Sequence, residues 1–492
     1  MKKIRNFIIT ILAMAMLINS FAFGAYASES WETSSDYERD DSAEMDVPID
    51  YDFFEALGLY HTTAVHPEIS SRVSGTWQHL SNGKWRYIHD DGGFTIDNWE
   101  YINGYWYYFD SNGYMYVGWL ENNGHIYYLE EATSGQGRMA IGWKAITVGN
   151  SNTSKWFYFN EHGIMVTGWK YLAYNGVSNW YFFASNGEMQ TGWLQRNNNW
   201  YYLKANGVMA TGWQQIGNNV GTYWYFFKST GEMVTGWYNV QGYTYYFNSS
   251  GQLQDTTRRA IVISNAYPPA EVEINGWENC LSDMTFYEGE VFEQIETAST
   301  LTYTGFCNLL NSVMSEADES DVTYLCLTCH GASDGDLEIC TDTLVSGQEL
   351  RNILDQYSGK IVLLLNTCYA GMIIGRGDMN SRNDFLSSFL GGTRSGELAN
   401  EKYLVLCSSA GDELSEGYYY NNSVIGWANR YWTLGGGWDI HNNISVQMYA
   451  DADNNSIVTL NELFTYSSAA INNHHVVVYP LNSSFTIFSK LN

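Results

Sequence analysis

At 492 residues the chain is longer than one hydrophobic core organises, so two or three domains are expected. Aromatic residues make up 16% of it, with 19 Trp and 39 Tyr, which excludes an ordinary single-domain enzyme and points to a repeated aromatic element. A formal charge of -29 excludes nucleic acid and anionic lipid as partners, because both are polyanions, and leaves cationic ligands open.

Lys2, Lys3 and Arg5 precede an apolar run from Phe7 to Leu17, and Ala25-Tyr26-Ala27 is a small-x-small cleavage site, so residues 1–27 read as an export signal. No later segment is apolar for long enough to cross a bilayer, so no membrane span is expected once the signal is removed. Residues 28–72 are an acidic lead or pro-segment, crowded with Glu29, Glu32, Asp36, Glu38, Asp40, Asp41, Glu44 and Asp46, with a short helix allowed over Asp52–Leu59.

Repeats fill residues 73–255. Gly-Trp pairs recur at Trp119, Trp143, Trp169, Trp193, Trp213 and Trp237, about 20 to 26 residues apart, and a degenerate unit starts near Trp77. Between them lie aromatic runs such as Trp156-Phe157-Tyr158-Phe159, each followed by Gly-x-Met or Gly-x-Leu, as at Gly187 and Met189. Each unit predicts two short strands and a Gly/Asn turn, too small to bury its aromatic face alone, so stacking on the next unit must supply the core. The expectation is an all-β hairpin solenoid. These residues resemble the cell-wall-binding repeats of Gram-positive surface proteins, the choline-binding and glucan-binding modules. The resemblance implies a cell-wall polymer as partner, choline-substituted teichoic acid or glucan, and a secreted, wall-associated protein. Aromatic faces attract quaternary ammonium by cation–π interaction and stack on sugars, so Trp119, Trp143, Trp169, Trp193, Trp213 and Trp237 are the candidate ligand-binding residues; packing of hairpin on hairpin is the alternative use of each.

Beyond Gly251 the period stops and residues 258–492 alternate strand-like and helix-like runs, which predicts a mainly parallel sheet covered by helices. Ala260–Ser264 is a buried strand ended by Tyr267-Pro268-Pro269; Thr300–Ser315 is helical; Val322–Thr328 is a strand; Val345–Tyr357 is helical; Ile361–Asn366 is a strand; a helix is expected around Phe385–Leu390 and a strand over Tyr403–Cys407. Two of these strands end in reactive groups: Cys329-His330-Gly331 follows Val322–Thr328, and Cys368 follows Asn366, with Gly371 just behind. If the strands are neighbours, imidazole and thiol meet at the carboxyl edge of the sheet, where open α/β folds keep their sites and where a cysteine nucleophile needs its histidine. Seven cysteines, an odd number confined to Cys280–Cys407, do not form a closed disulfide framework. Cys280, Cys307, Cys326, Cys340 and Cys407 read as core residues, and Cys329, lying inside the strand ending, is the poorer nucleophile candidate. His474 and His475 lack further ligands at metal-binding spacing.

A strand ending in His-Gly followed by a strand ending in x-x-Cys-x-x-Gly resembles the caspase-haemoglobinase fold, which includes caspases, metacaspases, legumain, gingipain and clostripain. The resemblance covers roughly 258–492 and implies a cysteine endopeptidase acting on peptide or protein, with no catalytic cofactor. It implies His330 as general base or orienting group, Cys368 as nucleophile, the backbone N–H groups of Gly331 and Cys368 as oxyanion donors, and Asn366, Ser408, Ser409 and Asp412 along the primary specificity pocket. Many bacterial members carry aspartate where this chain has Asn366, which puts a preference for basic side chains in doubt. A non-catalytic adhesin with a caspase-like scaffold and a murein-cleaving hydrolase are the competing readings; histidine ahead of cysteine disfavours a papain-like wall endopeptidase.

The run Asp451–Glu462 has EF-hand ligand spacing: Asp451, Asp453 and Asn455 at the first, third and fifth places, the Ile457 carbonyl at the seventh, Thr459 at the ninth and Glu462 at the twelfth. Structural calcium is the expected ion. Ser456 stands where glycine is usual, and an Asx-rich loop capping a helix, with Asp453 or Asn454 as cap, is the alternative reading.

Overall fold

The computed structural model describes residues 60–62, 74–131, 137–149, 153–265, 271–332, 336–368, 402–409, 417–420, 423–471 and 475–491. The export signal, most of the acidic lead, the helix expected at Asp52–Leu59 and the one expected at Phe385–Leu390 lie outside them. Among the described residues no helix is long and apolar enough to cross a membrane. The chain divides into two compact units, one built on residues up to Gln214 with Phe227–Met233, the other on Gln215–Phe226 and the chain from Val234 onward.

The first unit is a run of two-stranded hairpins, as the period predicts. In each, the tryptophan of the first strand faces an aromatic residue of the second: Trp119 pairs with Tyr128, Trp143 with Tyr158, Trp169 with Phe182 and Trp193 with Tyr202. A hairpin over Gly75–His79 and Trp85–His89 realises the degenerate unit at Trp77, and one over Asn98–Ile102 and Tyr105–Phe109 places Trp99 in the same role with asparagine in front of it instead of glycine. The Gly-x-Met signature explains the stacking. The Met189 N–H donates to the Trp156 carbonyl of an earlier unit (2.8 Å), and the Met209 N–H to Trp180 (2.9 Å). Gly187 and Gly207 adopt positive φ, and a Cβ on either would collide with the sulfur of Met165 or Met189. Glycine is therefore required twice over, for backbone conformation and for the approach of the preceding methionine. One described stretch belongs to the acidic lead: Tyr60–Thr62 pairs in parallel with Leu120–Asn122, and Thr62 Oγ1 accepts from the buried Tyr108 hydroxyl (2.8 Å).

The second unit is a mixed sheet with helices. Strands β1 (Arg258–Ser264), β2 (Gln294–Ala298), β3 (Val322–Thr328), β4 (Lys360–Asn366), β5 (Tyr403–Cys407) and β6 (Val477–Tyr479) lie in the order β2-β1-β3-β4-β5-β6, all parallel except β6. Alternate residues feed two cores. Val262, Tyr324, Cys326, Val362, Leu364 and Leu406 pack with helices α1 (Glu271–Ser282), α4 (Trp427–Gly435) and α5 (Leu460–Ala470). Ile261, Leu325, Leu327, Leu363, Leu365 and Val405 pack with α2 (Tyr303–Met314) and α3 (Gly347–Leu354). Burial on both faces is why these strands read as unbroken apolar runs. Thr302 and Ser346 cap α2 and α3, accepting from the N–H groups of Gly305 and Glu349 (3.2 Å each).

The last repeat hairpin, Gly236–Val240 with Tyr243–Phe247, belongs to this second unit. Trp237 is buried against Tyr246 and Phe485 (ring centroids 5.2 and 5.3 Å), with the Lys360 ammonium 5.7 Å from its ring. Thr244 and Thr486 exchange hydrogen bonds, and the Tyr243 hydroxyl accepts from the buried Arg258 guanidinium (3.3 Å). By packing, this hairpin therefore belongs with the α/β half, ahead of residue 258.

Candidate functional site

Strand register fixes the geometry at the carboxyl edge of the sheet. Ser264, Thr328 and Asn366 are in register on β1, β3 and β4, so two residues further on His330 and Cys368 leave adjacent strands at the same level. The ladder continues past the strands, with the Cys329 N–H donating to the Asn366 carbonyl (3.2 Å). His330 is exposed and Cys368 half-buried. Gly331 packs on the main chain of Cys368 and the side chain of Thr367: a Cβ there would collide with the Cys368 carbonyl oxygen and sit 2.7 Å from Thr367 Oγ1. Gly331 bridges to Leu337, but through its neighbours, the His330 carbonyl accepting from Glu338 N–H and the Ala332 N–H donating to Asp336 (2.9 Å each). Cys329 is buried, and burial pushes its thiol up to about 12, so it stays protonated at neutral pH. Cys280, Cys326, Cys340 and Cys407 are buried and Cys307 half-buried, matching their reading as core residues.

The residues expected to line a specificity pocket are placed differently from one another. Ser408 and Ser409 are fully buried and hold the strand that precedes the thiol: both hydroxyls donate to the Thr367 carbonyl (3.1 and 3.0 Å), and Ser408 Oγ accepts from the Thr367 N–H (3.1 Å). They position the main chain and do not line a cleft. Asn366 is buried, with Gly426 lying against its amide. Asp412 lies outside the described residues.

Sequence reasoning missed a buried polar layer beside this edge. Glu273 of α1 is 2% exposed; its carboxylate accepts from the Gly426 N–H (2.7 Å) and from Ser264 Oγ (3.3 Å). Burial pushes its carboxyl up, opposed by hydrogen bonds from Gly426, Asn429, Ser264 and Thr328. Asn429 donates to Thr328 Oγ1 (2.7 Å) and accepts from the buried Trp277 indole (3.2 Å). The only sequence signal was an acid in the first turn of a helix after β1, which looks like ordinary dipole compensation.

In the hairpin unit the candidate tryptophans differ in access. Trp193 and Trp200 stand at 87° with ring centroids 6.2 Å apart, each 40% exposed. Trp143 and the exposed Trp156 repeat this geometry at 78° and 6.4 Å, with Tyr181 closing behind Trp143 at 4.7 Å. Trp77 and Trp85 do the same at 80° and 6.5 Å. Trp169 is half-buried between Phe182 and Tyr201, and Trp213 is half-buried. Trp119 is buried between Tyr128 and Phe157, and Trp237 is buried in the second unit. Open walls of two perpendicular indoles are suited to cations and sugars; the buried rings are packing.

Comparison with known families matches residues 96–142, 175–211 and 210–257 to the choline-binding repeat. The hairpin half carries choline-binding repeats. Among solved structures the chain is similar to CbpJ from Streptococcus pneumoniae TIGR4, at 32% identity over 38% of this chain and 58% of that one, TM-score 0.29. It is also similar to choline binding protein F from Streptococcus pneumoniae, at 32% identity over 38% and 57%, TM-score 0.28, and to the modular autolysin LytC from Streptococcus pneumoniae, at 19% over 67% and 72%, TM-score 0.25. The chain spans less than two thirds of the length of CbpJ and of choline binding protein F. Comparison with curated proteins returned no match.

The Asp451–Glu462 loop is a turn held by its own side chains. Asp451 carboxylate oxygens accept from the N–H groups of Asn455 and Ser456 (3.0 Å each), and Asn455 Oδ1 accepts from the Ile457 N–H (2.8 Å). Ser456 takes φ +65°, the left-handed conformation that glycine usually supplies at the sixth place. Carboxylate oxygens of Asp451, Asp453 and Glu462 fall within 4.8 Å of one another, a set of hard oxygen donors that fits a calcium ion. Thr459 and Glu462 also form a capping box on α5, so the loop does lead into a capped helix, but the cap is Thr459 and not Asp453 or Asn454.

Proposed function

We propose that this protein is a secreted cysteine endopeptidase of the caspase-haemoglobinase type, held at the Gram-positive cell wall by its choline-binding repeats. The observation that carries the reading is the level placement of His330 and Cys368 on adjacent parallel strands at the carboxyl edge of the sheet. The strand order reverses between β1 and β3, the crevice at which open α/β sheets bind ligands, and His330 at the end of β3 borders that crevice. Cys368 attacks the peptide carbonyl as the thiolate, forming the C–S bond; the N–H groups of Gly331 and Cys368 receive the oxyanion; His330 protonates the departing amine, and water then releases the acyl group. The wall ligand is choline on teichoic acid, bound at the open indole pairs such as Trp193 with Trp200; glucan is the second ligand such walls accommodate. Calcium at Asp451, Asp453, Asn455, Ile457, Thr459 and Glu462 would bind carboxylates and carbonyl oxygen and brace the turn that leads into α5. The deciding experiment treats the full chain with a peptide acyloxymethyl ketone and maps the modified residue: label on Cys368 supports the peptidase, and a protein that resists every such probe while still binding choline is an adhesin.

A further inference from the structure

We propose that Arg196 makes the groove between the Trp169 and Trp193 hairpins an anion site, which takes a phosphodiester of the wall polymer where the open indole walls take an ammonium group. This rests on the reading of the wall ligand as a teichoic acid, a phosphate-linked chain, and goes beyond it by giving the polymer's negative charge a surface of its own. In four other hairpins the third residue after the first-strand tryptophan is enclosed: Ile102, Asn122, Ile146 and Ile216 are 1, 1, 5 and 6% exposed. In the strand Gly192–Arg196 that place is held by Arg196, which is exposed. Alternation along the strand sets Leu194 and Arg196 on one face and Trp193 on the other. The Arg196 face meets the preceding hairpin, where Leu194 and Tyr201 pack with Trp169, Trp180 and Phe182, and the guanidinium lies over the Phe182 ring (5.4 Å to its centroid). Tyr171, opposite Trp180 and 60% exposed, continues the aromatic floor outward (ring centroids 5.4 Å). A guanidinium held over a ring keeps its in-plane N–H donors for an oxyanion. Three other cations of the hairpin unit are already engaged. Lys144 pairs with Glu130, Lys155 pairs with Glu188 (3.7 Å), and Arg86 donates to the carbonyls of Asn112 and Gly113 (2.7 and 3.3 Å). Among the described residues Arg196 has no carboxylate partner and gives no hydrogen bond. In a chain of formal charge -29, an uncompensated guanidinium on an aromatic floor is where a phosphate can approach and be held. The same charge repels a second cation a few ångströms away, so Trp169 and Trp180 do not serve choline in this groove. The strand Gly192–Arg196 thus offers an indole to ammonium on one face and a guanidinium to phosphate on the other.

The test titrates the full chain with a choline-free glycerol phosphate oligomer by calorimetry, in saturating choline so that the ammonium walls are filled. The parent should bind the oligomer, Arg196→Ile should weaken that binding at least tenfold, and Arg196→Lys should keep part of it. Lys84→Ala, which removes an exposed charge from the first hairpin, should change it less than twofold. Choline bound per chain, counted by equilibrium dialysis, should rise by one in Arg196→Ile, because isoleucine at this place leaves the Trp169 groove without a charge of its own. Oligomer binding that is absent in the parent, survives Arg196→Ile or falls as far in Lys84→Ala overturns the inference, and so does a choline count that Arg196→Ile leaves unchanged; in each case choline binding by the parent keeps the wall reading standing. A parent that binds the oligomer through Arg196 and no choline sinks the choline reading and leaves the anion site in place.

Discussion

Gly331 rests directly on the main chain of Cys368, with no room for a side chain between them. The strand that ends in the histidine and the strand that ends in the thiol are thus locked together at the point where an oxyanion would be held. Gly331→Ala should force the two main chains apart, costing about 1–3 kcal/mol of stability as overpacking does. Loss of one oxyanion donor position should lower kcat about hundredfold. Peptide turnover and thermal melting measured on the same sample check both, and an unchanged kcat in a folded Gly331→Ala protein would show that this contact does not shape the site.

Removing the thiol should separate chemistry from folding. Cys368→Ala is expected to abolish turnover and probe labelling while stability stays within about 1 kcal/mol, because the side chain is only half-buried. Cys329→Ala should retain turnover. The same contrast is visible without mutation: at about pH 8, iodoacetamide should modify Cys368 and spare Cys329, whose thiol is held near 12 by burial and is neutral there. Peptide mapping that finds Cys329 modified first would reverse the assignment.

Retention on immobilised choline should depend on the open indole pairs. Trp193→Ala with Trp143→Ala is expected to weaken binding at least tenfold, with millimolar choline eluting the parent protein. Trp237→Ala should instead leave retention intact and destabilise the α/β half by about 3–5 kcal/mol, the usual cost of emptying a core of a large aromatic. Elution by soluble glucan and not by choline would select the carbohydrate ligand.

Calcium should raise the melting temperature of the α/β half, and chelator should lower it. At a calcium concentration tenfold above the dissociation constant the gain is about 1.4 kcal/mol. Asp451→Ala with Glu462→Ala should erase the difference; since Glu462 also caps α5, Asp453→Ala, which spares the cap, is the cleaner variant. Superimposable melting curves of the parent with and without calcium would remove the ion from the account.

The parts of the fold legible in sequence are those whose local pattern and burial agree. Strands β3, β4 and β5 read within a residue of their observed ends because both faces are apolar, and α2 because Phe306, Leu310 and Val313 recur at helical spacing. Helix α1 was not legible: it follows Pro268-Pro269 and contains Gly276, which is needed where Ile440 presses against the helix and no Cβ would fit. The edge strand β2 and the short antiparallel β6 carry too few residues to show a period. Of the candidate site, His330 and Cys368 announced themselves as strand endings, whereas Glu273 joins the carboxyl edge through Ser264 and through Gly426, the latter 153 positions away. Ser408 and Ser409 were visible as polar residues after a strand, but their inward bonds to Thr367 follow from tertiary packing alone.

The final hairpin is a repeat by sequence and part of the α/β core by packing, since Trp237 covers Phe485 and lies over Lys360. Tandem units of similar sequence are readily gained and lost by unequal recombination. Such exchange upstream of Gln215 would change the number of choline-binding units without removing any residue of the α/β unit. Loss of the last unit would uncover Phe485 and the Lys360 end of β4, the strand that leads to Cys368. The number of repeats can therefore vary at one end of the array and not at the other.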